Sequence, residues 1–202
     1  MRLGVFGGTF DPVHLGHLIL AEQCREQGRL DQVVFIPAAR PPHKQDKSLI
    51  SFTERVEMLR LAVSGQPAFR IDELEKDRPG PSFTVDTLAQ LRDRNAGAEL
   101  FLLIGSDTLR DLPTWHQPVK ILESTGLLVV PRPGWPIPNA EEVKKSLALP
   151  DSFPLRLQIC AIPQIEIASR DLRRCIAEGR SVRYMLPRAV EAYIGDKKLY
   201  WD

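Results

Sequence analysis

Cysteine is scarce and poorly spaced for any linking role: Cys24, Cys160 and Cys175 are the only three in 202 residues. An odd count with no CxxC pair and no Cys/His ligand spacing argues against a disulfide framework and against a zinc knuckle. Each reads as a small reduced apolar residue of a cytoplasmic protein. Long apolar runs are missing too. Phe101–Ile104 and Leu127–Val130 are typical of the longest, far short of the ~18 residues that span a bilayer. Gly4, Gly7, Gly8 and Asp11 leave no room for a signal-peptide core. The expectation is a soluble, cytoplasmic chain with no membrane partner. Charge of one sign is also lacking: 27 Lys+Arg against 26 Asp+Glu give a net charge of +1. That balance argues against a broad grip on nucleic acid, while a local basic pocket stays open. Finally, there is no GxxxxGK[ST], and no GxGxxG follows the first strand, so a P-loop and a dinucleotide dehydrogenase are both unsupported.

What is present is ordinary globular material, 43% hydrophobic and 26% charged. The 17 prolines exceed the average usage of about 5% and predict shaped loops. Short apolar runs at Leu3–Phe6, Val33–Ile36, Phe69–Ile71, Leu100–Ile104, Leu127–Val130 and Leu157–Ile162 read as strands. Between and after them lie helical patterns at Leu15–Glu26, Thr84–Arg94, His116–Glu123, Ala140–Leu147 and Asp171–Glu178. Ser51 and Glu54 fit a capping box that opens a further helix through Met58, Leu59, Ala62 and Val63. A last helix opens at Pro187, where a missing N–H costs nothing, and runs through Ile194. No repeat and no linker divides the chain, and Pro131–Pro138 reads as a surface loop. The alternation predicts α/β architecture: a doubly wound parallel sheet in one domain, 1–202, whose residues from about 165 are mainly helical.

In such sheets ligands sit beyond the carboxyl ends of the strands. Four segments fall there: Gly7–His17, Pro37–Lys44, Gly105–Asp107 and Ile167–Arg173. The first is the richest, reading Gly7-Gly8-Thr9-Phe10-Asp11-Pro12-Val13-His14-Leu15-Gly16-His17. Its glycines permit a sharp turn, and a helix opening at about His14–Leu15 aims its free amides above the sheet. His14 and His17, three apart, share one face of that helix end, and Gly16 keeps the approach to the turn clear. The segment is an anion cradle with two donors; the plainer alternative is a tight βα turn carrying two surface histidines.

His14-Leu15-Gly16-His17 is similar to the HxGH signature of the nucleotidyltransferase α/β superfamily. Pro41-Pro42-His43-Lys44 resembles the PPHK loop of bacterial nicotinate-nucleotide adenylyltransferases. Further matches are Gly80-Pro81-Ser82-Phe83-Thr84-Val85-Asp86-Thr87-Leu88, Leu102-Leu103-Ile104-Gly105-Ser106-Asp107 followed by Trp115, and Tyr184-Met185-Leu186-Pro187 through Tyr193-Ile194 and Leu199-Tyr200. The resemblance runs in order along nearly the whole chain. It implies a Rossmann-like nucleotidyltransferase fold. The implied reaction transfers AMP from ATP to the phosphate of nicotinate mononucleotide, giving nicotinate adenine dinucleotide and pyrophosphate in NAD biosynthesis. Mg²⁺ would arrive with ATP, with no metal ligand among the protein side chains.

By that resemblance, His14 and His17 stabilise the reacting α-phosphate and the leaving pyrophosphate. Lys44 and Arg173 neutralise the β- and γ-phosphates, Arg173 as a bidentate donor. Gly7, Gly8, Thr9, Phe10, Gly16, His43, Gly105 and Ser169 complete the ATP side, with Asp107 accepting from a ribose hydroxyl. Nicotinate stacks on Trp115, and its carboxylate meets Thr84 and backbone amides near Phe83 and His116, with Thr9 touching both substrates. From sequence alone, Trp115 reads equally as a half-buried rim residue. The segment Ile167-Ala168-Ser169-Arg170-Asp171-Leu172-Arg173 departs from the family pattern. Ser169 would cap a helix starting at Arg170. Ala168 and Arg170 stand where hydroxyl residues are usual, and Arg170 either replaces one with charge or points to solvent. The competing readings are a same-fold adenylyltransferase for nicotinamide mononucleotide or phosphopantetheine, and a silent nucleotide-binding regulator. Partners are the two small substrates and no nucleic acid; homo-oligomerisation is left open.

Overall fold

The computed structural model describes residues 1–41 and 49–201. Runs of Val, Ile and Leu that are apolar on both faces make strands that must be covered from both sides. Six form: β1 (Arg2–Gly8), β2 (Gln32–Pro37), β3 (Phe69–Ile71), β4 (Glu99–Gly105), β5 (Gly126–Val130) and β6 (Leu157–Ile159). They pair in parallel into one sheet of order β3-β2-β1-β4-β5-β6. The order reverses between β1 and β4, where Val5 is registered with Val34 on one side and Leu102 on the other. That reversal opens the crevice in which such sheets bind ligands.

Strand side chains alternate between faces, and the two cores divide accordingly. Val33, Phe35, Leu103 and Leu128 pack with Leu20 and Cys24 of α1 (Leu15–Gln27) and with Met58 and Leu59 of α2 (Phe52–Val63). Leu172 of α7 (Ser169–Ala177) and Val190 and Ile194 of α8 (Arg188–Asp196) join the same core. Val34, Ile36, Leu102 and Val129 point the other way. They meet Leu88 of α3 (Thr84–Arg94), Leu109 of α4 (Ser106–Asp111), Ile121 of α5 (Pro118–Ser124) and Val143 of α6 (Ala140–Ser146). Each fully buried aliphatic side chain contributes about 1.5–3 kcal/mol, so both faces hold the sheet rigidly behind the crevice. This is the doubly wound α/β sheet expected.

Several boundaries differ from the sequence reading, each for a local reason. The helix expected from His116 starts at Pro118, because Gln117 sits in the left-handed region at φ +52°. Pro187 takes the cap position of α8 rather than its first turn. The strand expected through Ile162 ends at Ile159, at the sheet edge where β6 pairs with β5 alone among the described residues. At α2 the Ser51 Oγ accepts from the Glu54 amide at 3.2 Å, but the Glu54 carboxylate accepts from the Ser51 hydroxyl rather than from a backbone N–H.

Candidate active site

The turn after β1 is held in an unusual backbone shape. Phe10 lies in the left-handed region at φ +51°, which costs a non-glycine residue about 1–2 kcal/mol. Packing compensates: the Phe10 ring meets Phe6, His17 and Phe35 with centroids 5.4, 5.1 and 5.8 Å away. Beneath the turn, Arg55 of α2 is 2% exposed. Its guanidinium donates to the carbonyls of Thr9, Ala38 and Ile50 at 2.8, 2.9 and 3.3 Å.

The two histidines are brought together, though unequally. Their rings stack with centroids 3.7 Å apart and planes 27° apart. The His14 N–H donates to His17 Nδ1 at 3.2 Å, so a neutral His17 carries its proton on Nε2. His14 is 2% exposed, and its Nδ1 is buried without a hydrogen-bond partner. Burial, reinforced by the nearby Arg132 charge, pushes its pKa down from 6.5 to about 3, so it is a neutral imidazole at physiological pH. A Cβ at Gly16 would come within 3.1 Å of His14 Nδ1. Gly16 therefore makes room for the His14 ring rather than clearing an approach from solvent. The first helical amide is also spent, since the Leu15 N–H donates to the Met185 carbonyl at 3.0 Å.

Residues distant in sequence grip the same turn. Tyr200 donates to Asp11 Oδ1 at 2.7 Å, and Arg173 Nη1 donates to the Asp11 carbonyl at 2.7 Å. Ser169 does not cap α7. Ala168 holds that position, and the Ser169 hydroxyl donates to the Pro12 carbonyl at 2.9 Å. Arg170 points outward, its side chain 82% exposed and 3.8 Å from Asp171.

At the end of β4, Gly105 lets two polar side chains fold close over the backbone. A Cβ at Gly105 would collide with the Asp107 carboxylate and lie 3.1 Å from Arg132. Arg132 Nε sits 4.0 Å from Asp107 Oδ1. The Ser106 hydroxyl donates to the Trp135 carbonyl and accepts from the Arg132 N–H, at 2.8 and 2.9 Å, fixing the loop after β5. The opposite wall is aromatic. The His116 ring stacks on Phe83 at 4.4 Å. Phe83 stands at the cap of α3 with no side-chain hydrogen bond to its first turn among the described residues, and Phe83, Thr84 and Thr87 line the crevice at that helix end.

A cavity of about 410 Å³ fills the crevice between these walls. Of the expected residues, Gly7, Gly8, Thr9, Phe10, His17, Gly105, Phe83, Thr84, Trp115 and His116 line it. His14, Gly16, Asp107, Ser169 and Arg173 do not line it. His14 and Gly16 sit under the turn, Asp107 leans toward Arg132, and Ser169 and Arg173 are engaged with Pro12 and Asp11. His43 and Lys44 fall outside the described residues. Sequence reading missed Arg132, Glu75 and Thr87 in the lining and Arg55 below it. Arg132 was legible in principle: it follows β5, next to the switch-point strand β4. Among the described residues no group of three or more His, Cys, Asp or Glu side chains could hold a metal ion, and no helix is long and apolar enough to cross a membrane.

A protein-family model described as cytidylyltransferase-like matches residues 5–174. A probable nicotinate-nucleotide adenylyltransferase of Thermomicrobium roseum is 45% identical over 98% of this chain and 91% of its own length. One from Thermus thermophilus is 45% identical over 99% of this chain and 100% of its own. Among solved structures, Plasmodium falciparum nicotinic acid mononucleotide adenylyltransferase complexed with NaAD superposes with a TM-score of 0.81. It is 18% identical and covers 98% of this chain and 97% of its own. At that identity the likeness speaks for the fold. The chain belongs to the cytidylyltransferase-like family and, within it, to the nicotinate-nucleotide adenylyltransferases.

Proposed function

We propose that the chain transfers the adenylyl group of ATP to the phosphate of nicotinate mononucleotide, releasing pyrophosphate and nicotinate adenine dinucleotide. The observation that carries this reading is the single crevice joining a glycine-histidine turn to an aromatic wall at the start of α3. The acceptor's phosphate has a second pKa of about 6, so it is largely dianionic at neutral pH and needs no strong base. One of its oxygens forms a bond to the α-phosphorus as the bond to the bridging α–β oxygen breaks, and that oxygen leaves with pyrophosphate. The protein's task is alignment and charge stabilisation. His17, through Nε2–H, suits the charge that develops on the α-phosphate. His14 is too deeply buried to bring a positive charge and orients His17 through its backbone N–H.

Cationic stabilisation falls to Arg173, Lys44 and, from its place in the lining, Arg132. Mg²⁺ would arrive on the triphosphate: imidazoles, guanidinium groups and amides around the turn suit oxyanions better than a bare divalent cation. Asp107 reads as the ribose partner, with Gly105 leaving space for its carboxylate. At the acceptor end, Trp115 offers a face for a pyridine ring. Thr84, Phe83 and His116 surround it with hydroxyl, amide and imidazole groups that favour a carboxylate over an amide. Pyrophosphate release from ATP, measured side by side with nicotinate mononucleotide, nicotinamide mononucleotide and phosphopantetheine, tests the reading. The acid substrate is expected to turn over fastest, and faster release with either alternative overturns the assignment.

A further inference from the structure

Asp11 is a buried carboxylate that the reaction itself does not use. It is 1% exposed. Its Oδ1 accepts from the Tyr200 hydroxyl at 2.7 Å, while Oδ2 has no hydrogen-bond partner. Leaving a charged oxygen buried and unpaired is costly unless a cation stands nearby. The cation in ion-pair contact is Arg173, whose Nη1 lies 3.6 Å from Oδ2 and donates to the Asp11 backbone carbonyl, while the Arg55 guanidinium acts on the same charge without a bond to it among the described residues. One guanidinium nitrogen is thus held twice by a single residue, by a hydrogen bond and by a facing charge. The Arg173 side chain keeps 28% of its surface exposed, so its remaining donors are not sealed away.

We propose that Asp11, itself fixed by Tyr200, is the positioning residue that sets Arg173 against the phosphate turn in readiness for the triphosphate. This rests on Arg173 being a phosphate-side cation, as proposed above. An arginine free in solution samples many rotamers, and binding must freeze them. With Nη1 anchored on Asp11, that ordering is complete before ATP arrives. Tyr200 keeps the carboxylate from rotating Oδ2 away. Ser169 adds a second tie, since α7 carries both Ser169 and Arg173 and the serine is bonded to Pro12. The charge on Asp11 also favours the charged form of Arg55, which burial disfavours, and among the described residues the Arg55 hydrogen bonds go to carbonyls.

The test compares Asp11→Asn, Tyr200→Phe and Arg173→Lys, together with each of the first two in the Arg173→Lys background. Steady-state constants are measured for ATP and for nicotinate mononucleotide, with thermal unfolding as a check on folding. Asp11→Asn and Tyr200→Phe are expected to raise KM for ATP about three- to tenfold, the scale of ordering one rotamer-rich side chain. KM for the acceptor should stay within about twofold. In the Arg173→Lys background the same changes are expected to add nothing further. If Arg173→Lys weakens ATP while neither partner variant does, the positioning role is wrong and the phosphate-side reading of Arg173 survives. If the partner effects persist undiminished in the Arg173→Lys background, Asp11 acts through something else and the proposal is overturned. If Arg173→Lys leaves ATP kinetics untouched, both fall. Tyr200→Phe keeps the question answerable should Asp11→Asn fail to fold.

Discussion

Arg55 donates from Nη1 to the carbonyl of Thr9 at 2.8 Å, and the same nitrogen donates to Ala38 at 2.9 Å. One buried guanidinium therefore joins the loop after β1 to the loop after β2, and both carbonyl-bearing residues line the crevice. Replacement by leucine keeps the bulk and strips the donors from three carbonyls. Arg55→Leu is expected to lose about 3 kcal/mol of stability, read as a lower denaturation midpoint. It should also weaken both substrates, since it releases both loops. An unchanged midpoint would show that water satisfies those carbonyls as well as the arginine does.

Of the two histidines of the turn, His17 is the one that lines the cavity. His17→Ala is expected to fold normally and to lose about 10²–10³-fold in kcat, the cost of removing one preorganised donor from developing charge. Wild-type turnover in a folded variant would remove this residue from the chemistry.

The buried partner His14 makes a different prediction. Its pKa is held at about 3 against the ordinary 6.5, so the unfolded chain takes up this proton before the folded one. Its contribution to stability is complete above about pH 6.5 and is lost as pH falls toward 3, by an amount on the order of 4–5 kcal/mol. Urea midpoints measured from pH 7 down to pH 4 should fall more steeply for the wild type than for His14→Asn. Parallel curves would count against a buried neutral imidazole.

Trp115 lines the cavity and is the proposed partner of the pyridine ring. Trp115→Ala is expected to raise KM for nicotinate mononucleotide by the equivalent of roughly 1–3 kcal/mol, the usual worth of a ring stacked on an aromatic side chain. KM for ATP should change far less. Equal changes for both substrates would remove the stacking role.

The local pattern carried the fold because its signals are local. Phe69–Ile71 and Thr84–Arg94 match the observed elements residue for residue. Parallel buried strands show up as apolar runs, and α2 begins where its serine cap stands. What escaped depended on contacts across long stretches of chain. Asp11 and Tyr200 are separated by 189 positions, and no periodicity connects them. Ser169 read as a cap because serine before a helix commonly caps it. Its hydroxyl instead serves a carbonyl 157 positions away. The glycine-histidine turn was legible from composition and strand-end geometry. The unequal burial of its two imidazoles was not, because burial depends on how distant parts of the chain close over the turn, and Arg132, whose charge also acts on His14, follows β5 far along the sequence.

The first amide of α1 rests on a carbonyl from Met185, and the turn before it rests on a hydroxyl from Tyr200. A chain still emerging from the ribosome would carry the glycines and both imidazoles well before Met185 and Tyr200, and so without a finished pocket. Competence would arrive only after Met185 and Tyr200 had been released and had docked. Trimming the stretch from Met185 through Tyr200 should silence the enzyme, because it removes both supports of the turn together with the core side chains Val190 and Ile194.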